Sequence, residues 1–132
     1  MHAYFTCESY GRSAHFRMVE KKPTRLADRA AQELVEVLDS QLFTALAEPV
    51  RIELLKELIL CGRADVATLA SKLPQHQSVI SRHLLVLFNA GILKRAKEQR
   101  HVYYELDGDY CVRTFKSILA RVEKAVQVCC PD

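Results

Sequence analysis

The tightest constraint on this chain is a double change of rhythm between Asp65 and Leu106. In DVATLASKL, the residues Val66, Leu69, Ala70 and Leu73 recur at helical spacing and predict a short helix over about 65–72. Pro74 stops it, because proline has no N–H to continue the ladder. In QSVISRHLLVLFN, residues 77–89, Ile80, Leu84 and Leu87 line one side of a second helix, and Ala90-Gly91 ends it. Two short helices joined by so few residues form a helix-turn-helix. The period then changes again. ILKRAKEQRHVYYEL, residues 92–106, reads as two short strands around a charged tip, Lys97-Glu98-Gln99-Arg100. A β-hairpin directly after a helix-turn-helix makes a winged helix.

The flanking segments extend this to a mainly α fold with a two-stranded β-wing. From Leu26 to Leu46, Leu34, Val37, Leu38, Leu42, Ala45 and Leu46 recur at helical spacing. Pro49 suits the first turn of the next helix, which shows Leu54, Leu55, Leu58 and Ile59 on one face and ends at Cys61-Gly62. Asp109 to about Val128 is a long amphipathic helix with a stripe of Cys111, Phe115, Ile118, Leu119, Val122, Ala125 and Val126, which needs a partner surface. Residues 1–24 have no sustained period and read as a flexible arm. Residues 25–128 read as the winged-helix DNA-binding and dimerisation domain, and residues 129–132 as a cysteine-containing tail. MVEKK makes Met18 a second candidate start. A length of 132 residues suits one domain with a modest core. The longest apolar run is Leu84 to Phe88, too short to span a bilayer, and the N-terminus lacks a signal-peptide core, so a cytoplasmic protein without membrane contact is expected.

With Ile80, Leu84 and Leu87 inward, Gln77, Ser78, Ser81, Arg82 and Leu85 fall on the outer side of their helix. Glutamine and arginine make bidentate contacts to adenine and guanine in the major groove, and serine reaches bases or phosphates. Lys97 and Arg100 on the wing suit phosphates or the minor groove. Residues 75–104 carry Arg82, Lys94, Arg95, Lys97 and Arg100 against Glu98 alone, a local balance of +4 in a chain whose net charge is +3. Charge alone describes an ordinary solvated surface. Beside a groove-sized helix it points to double-stranded DNA. The competing class is a winged helix used only for protein contacts. No nucleophile elbow, phosphate loop or pair of catalytic carboxylates occurs, so no enzyme is expected. His83, in mid-helix, suits packing or a phosphate contact better than metal, and His101 lies in the wing.

LFTALAEPVRIELLKEL, DVATLASKL, QSVISRHLLVLFNAGIL and RHVYYEL together, in this order and spacing, resemble the ArsR/SmtB family of bacterial repressors over about residues 34–128. The resemblance implies an α-α-α-α-β-β-α winged helix, homodimeric through its first and last helices. It also implies an operator released on metal, metalloid or thiol stress. By position it places groove reading on Gln77, Ser78, Ser81 and Arg82 and the wing contacts on Lys97 and Arg100. The chain departs from the family at the turn, where Pro74 and His76 replace a glycine and a serine cap, so a weaker cap is expected. The family's arsenic and cadmium site falls at Asp65-Val66-Ala67, which has no thiol. Its zinc site would begin at Asp109 and Cys111, but Val122 and Ala125 occupy the distal positions.

Five cysteines, Cys7, Cys61, Cys111, Cys129 and Cys130, remain to account for sensing. An odd number in a reducing compartment favours free thiols, a thiol sensor or a metal site. The vicinal Cys129-Cys130 pair suits a soft thiophilic inducer, As(III) or Cd(II)/Zn(II), with a third thiolate from Cys7, Cys111 or the partner chain. The alternative within regulation is a thiol-based redox or sulfide sensor whose inducer is an oxidant. In the plainer reading Cys61 is structural, Cys111 packs as a small apolar residue and the tail pair is incidental.

Overall fold

The structure is a computed structural model describing residues 24–38 and 40–129. Residues 1–23 of the N-terminal arm, Cys7 among them, and Cys130 lie outside the described residues. The chain divides into two compact units, with the boundary at Leu38 and again at Phe115.

The larger unit holds the helix-turn-helix and wing. Helix α2 (Ser40–Leu46) buries Leu42 and Ala45. Pro49 opens α3 (Pro49–Cys61), where its missing N–H costs nothing. Arg51 then reaches back: its Nε donates to the Ala45 carbonyl at 2.6 Å and Nη2 to the Thr44 carbonyl at 2.8 Å, satisfying the end of α2. Gly62, at φ 75°, ends α3 with its N–H on the Leu58 carbonyl. Three extended residues, β1 (Arg63–Asp65), come next. Helix α4 (Val66–Ala70) and helix α5 (Gln77–Asn89) form the helix-turn-helix. Gly91 turns the chain at φ 81°. A Cβ there would lie 2.7 Å from the Tyr110 ring, so both conformation and space demand glycine.

Strands β2 (Leu93–Glu98) and β3 (His101–Leu106) pair antiparallel from Leu93↔Leu106 to Glu98↔His101, leaving Gln99-Arg100 as a two-residue loop. β1 adds to the other edge of β3, giving the order β1-β3-β2. The expected two-stranded wing is present, and a third short strand joins it. The core is Leu42, Leu54, Leu58, Leu69, Ile80, Leu84 and Leu87, all essentially without solvent contact. Each such side chain contributes about 1.5–3 kcal/mol by burial. Ile59, expected on the inner face of α3, is instead 63% exposed.

The smaller unit holds α1 (Arg25–Val37) and the part of α6 (Gly108–Cys129) from Phe115 onward. Thr24 caps α1 by accepting from the Ala27 N–H. The single helical run expected from Leu26 to Leu46 is two helices, because the Leu38 backbone leaves helical geometry at ψ 81°. Glu33 gathers Lys124 at 2.6 Å, Arg29 at 3.0 Å and Arg121 at 3.8 Å. Lys124 first, and Arg29 after it, hold its carboxyl below the usual range against the opposing effect of burial. No residue of α6 is buried, and Phe115, Leu119, Val122 and Val126 are exposed. Among the described residues, no helix is long and apolar enough to cross a membrane.

Candidate nucleic-acid interface

Helix α5 separates its two faces cleanly. Ile80, Leu84 and Leu87 are fully buried, which fixes the helix against α3 and α4, while Gln77, Ser78, Ser81 and Arg82 are all exposed. The cap expected to be weak at the start of α5 is supplied by His76 itself, through one long contact. His76 sits in extended geometry and its Nδ1 accepts from the Ser78 N–H at 3.3 Å, with the Ser78 hydroxyl at 2.9 Å. An acceptor Nδ1 keeps its lone pair, so the neutral ring carries its proton on Nε2. An imidazole thus does the work of a serine cap. It also engages the hydroxyl of one predicted groove reader, Ser78. His83 makes a polar contact: Arg51 Nη1 lies 3.3 Å from its Nδ1, tying α5 to α3.

The wing sorts its cations by partner. Lys94 lies 3.7 Å from Asp107, Arg63 lies 2.6 Å from Glu98, and Arg95 sits over the Phe88 ring at 5.7 Å. Among the described residues, Arg82, Lys97 and Arg100 have no ion-pair partner, and all three are exposed. An uncompensated arginine or lysine keeps its full charge for a phosphate or a base edge. At the tip, Gln99 adopts φ 53°, the left-handed conformation that glycine or asparagine usually supplies in a two-residue hairpin loop.

Two residues of β1, Asp65 and Arg63, carry contacts that sequence spacing did not single out. Asp65 Oδ1 accepts from the Thr68 N–H at 2.9 Å and so caps α4, while Oδ2 lies 3.0 Å from His101 Nδ1. These Thr68 bonds, and then His101, hold its carboxyl below the usual range. Arg63 crosses the Tyr103 ring at 4.5 Å to reach Glu98. The Arg63–Glu98 pair is exposed and screened by solvent, so it adds little to stability. A three-residue strand has too little length to show a period. Asp65, as a capping residue two places before Ala67, was the one available signal.

Of the predicted thiol ligands, only Cys111 and Cys129 are among the described residues, and these two are not brought together within one chain. Cys129 is the last residue of α6, exposed, with its thiol 3.6 Å from the Val126 carbonyl. Cys111 is half-buried with its sulfur 3.9 Å from the Ile92 carbonyl; burial first, and Asp107 second, push its thiol pKa up. A thiol biased against ionising is a poor ligand. Cys111 and Cys129 also stand in the first and last turns of one helix, about 27 Å of rise apart, so one ion cannot touch both in one chain. Same-chain Cys111 is therefore removed as the third ligand. Cys61 is exposed with Lys72 Nζ at 3.1 Å from its sulfur, which, ahead of Glu57, holds the ammonium above its usual range. Among the described residues, no three His, Cys, Asp or Glu side chains converge on a point that could hold a metal ion.

No family model matches the chain. The cadmium resistance transcriptional regulatory protein CadC homolog of Staphylococcus aureus is 34% identical over 83 residues, covering 63% of this chain and 67% of the homolog. The arsenical resistance operon repressor of Escherichia coli K12 is 37% identical over 70 residues, 53% of this chain and 60% of that repressor. Among solved structures, a possible transcriptional regulator for arsenical resistance superposes with a TM-score of 0.52 at 32% identity, over 67% of this chain and 86% of its own.

Proposed function

This chain belongs to the ArsR/SmtB family of winged-helix, DNA-binding transcriptional repressors, and on that premise we propose that it is a homodimeric repressor that a thiophilic inducer releases from its operator. The observation carrying the DNA part is the outer face of α5. Gln77, Ser78, Ser81 and Arg82 are exposed on a helix anchored by three fully buried residues, beside the unpaired wing cations Lys97 and Arg100. The helix reads base edges from the major groove, and the wing cations bind phosphate.

The apolar stripe of α6 supports dimerisation. Phe115, Leu119 and Val126 are about half exposed, and Leu26 and Val35 on α1 are more so. A second copy of the chain covers that surface, and a two-fold dimer presents two α5 helices to half-sites about one helical turn apart.

The inducer reading rests on Cys129 with Cys130, on the soft chemistry of adjacent thiolates, and on relatives named for cadmium and arsenical resistance. Cys7 or a partner-chain thiolate completes the site for As(III), Cd(II) or Zn(II). An inducer works only if it binds the DNA-incompetent arrangement more tightly than the competent one. Titrating the operator complex of the reduced protein with As(III), Cd(II), Zn(II), a persulfide and peroxide tests this. Release by a metal or metalloid supports the proposal. Release by persulfide or peroxide alone replaces it with a thiol-redox repressor, and salt-insensitive duplex binding replaces it with a protein-interaction module.

A further inference from the structure

The short strand β1 lies against the wing on the same side as the tip's own closing residues. Along β3, His101, Tyr103 and Glu105 share one face. Opposite them stand Glu98, Ala96 and Lys94 on β2, and Asp65 and Arg63 on β1. Glu98 and His101 are the last pair before the Gln99-Arg100 loop. Both are held from β1. Arg63 runs diagonally over the Tyr103 ring, 4.5 Å from its centroid, and donates to Glu98 at 2.6 Å. Asp65 meets His101 at 3.0 Å. Because the other oxygen of Asp65 caps α4, the same carboxylate joins the hairpin tip to the first helix of the helix-turn-helix.

We propose that Arg63 and Asp65 are positioning residues for DNA binding: by gripping Glu98 and His101 they fix the wing tip, and with it the placement of Arg100 on the DNA backbone. The inference rests on the DNA-binding reading above and adds residues outside the groove-reading and wing-contact sets. The physical need is clear. A two-residue loop with a non-glycine residue at φ 53° sits at the end of a two-stranded hairpin, and an isolated hairpin is marginal in water. Side-chain anchors on both closing residues restrict its pivoting. A cation held in place loses less freedom when it meets a phosphate. Arg63, Glu98 and His101 are exposed, and Asp65 is half-buried but its cap on α4 is kept by asparagine, so loss of the anchors shifts the tip without unfolding the domain.

The variants are Asp65→Asn, Arg63→Met and Arg63→Lys in the full chain. Asparagine keeps a capping acceptor for the Thr68 N–H but loses the charge facing His101. Methionine keeps an apolar stem over Tyr103, and lysine keeps the cation as the rescue variant. The first readout is the heteronuclear NOE of the Gln99, Arg100 and His101 amides in the free protein. It should fall in Asp65→Asn and Arg63→Met, stay near wild type in Arg63→Lys, and leave the α5 amides unchanged. The second readout is affinity for a duplex, across salt concentrations, in wild-type and Arg100→Ala backgrounds. Each disruptive variant should weaken binding about twofold to fivefold, the equivalent of one exposed ion pair. The loss should vanish when Arg100 is already alanine. Unchanged tip NOEs overturn the clamp whatever the DNA result. Equal losses in both backgrounds overturn the positioning role alone. An Arg100→Ala protein that binds as wild type overturns the wing contact on which the inference stands.

Discussion

Helices α5 and α6 are both amphipathic, yet they use their apolar faces differently. α5 buries Ile80, Leu84 and Leu87 completely inside its own unit, so its polar face has one fixed direction. α6 buries nothing, and its stripe of Phe115, Leu119, Val122 and Val126 stays open to solvent. On the proposed reading, the difference separates what one chain completes alone from what a second copy completes. DNA reading would depend on a helix that its own unit already orients, and dimerisation and inducer sensing on a helix that keeps Phe115, Leu119, Val122 and Val126 exposed.

Truncating one leucine on each helix should break this contrast most visibly. Leu84→Ala removes a fully buried side chain and should cost about 2–5 kcal/mol of unfolding free energy in urea. Leu119→Ala, 56% exposed, should leave monomer unfolding nearly unchanged but move the sedimentation profile toward monomer at micromolar concentration. A Leu119→Ala protein that loses as much monomer stability as Leu84→Ala would mean that α6 is already packed.

The sensing half sharpens next. Cys129→Ser/Cys130→Ser should abolish operator release by As(III), removing a coupling of about 1–3 kcal/mol, while Cys111→Ser should leave release intact. Loss of release in Cys61→Ser with undiminished release in the tail double variant would place the sensor at the end of α3 instead.

Two smaller effects concern the wing. Gln99→Gly removes the left-handed penalty at φ 53°, offset by glycine's entropy, and should stabilise the protein by about 0.5–1 kcal/mol in thermal melts. Asp65 titrates with a depressed folded-state pKa, so its stabilisation is present above the ordinary aspartate range and lost as the pH falls through the lower folded value. Asp65→Asn should therefore lower stability in the neutral region and flatten the acid side of the stability curve, below about pH 4, where wild type loses the same stabilisation. An acid limb as steep as wild type's would show that the Thr68 and His101 bonds do not bias this carboxyl.

Where a stretch was long enough to show a period, its structure was legible beforehand. Pro74 between two helical rhythms marked the helix-turn-helix. The switch to alternation after Gly91 marked the hairpin, and Ile80, Leu84 and Leu87 were read inward and are buried. The outer face of α5 followed from that burial. Shorter or context-dependent features were not legible. β1 is three residues long, and its ladder partner lies some forty residues later in the chain. The break after α1 depends on one backbone angle at Leu38, inside an unbroken apolar rhythm. Ile59 shares the spacing of Leu55 and Leu58 but points out, because periodicity locates a stripe only to within about one residue. The His76 cap was unexpected because imidazole is seldom ranked with the capping side chains. Same-chain Cys111 is removed as the third ligand by the rise of one unbroken helix between it and Cys129, a continuity that the structure supplies.

The central claim is that α5 reads sequence while the wing binds backbone, and one comparison tests it directly. The affinities of wild type, Arg82→Ala and Arg100→Ala are measured for the operator and for an unrelated duplex across a range of salt. Arg82→Ala should lose about 1–3 kcal/mol on the operator and little on the unrelated duplex. Arg100→Ala should weaken both duplexes alike and reduce the salt slope by about one. An Arg82→Ala protein that binds its operator as tightly as wild type contradicts the account.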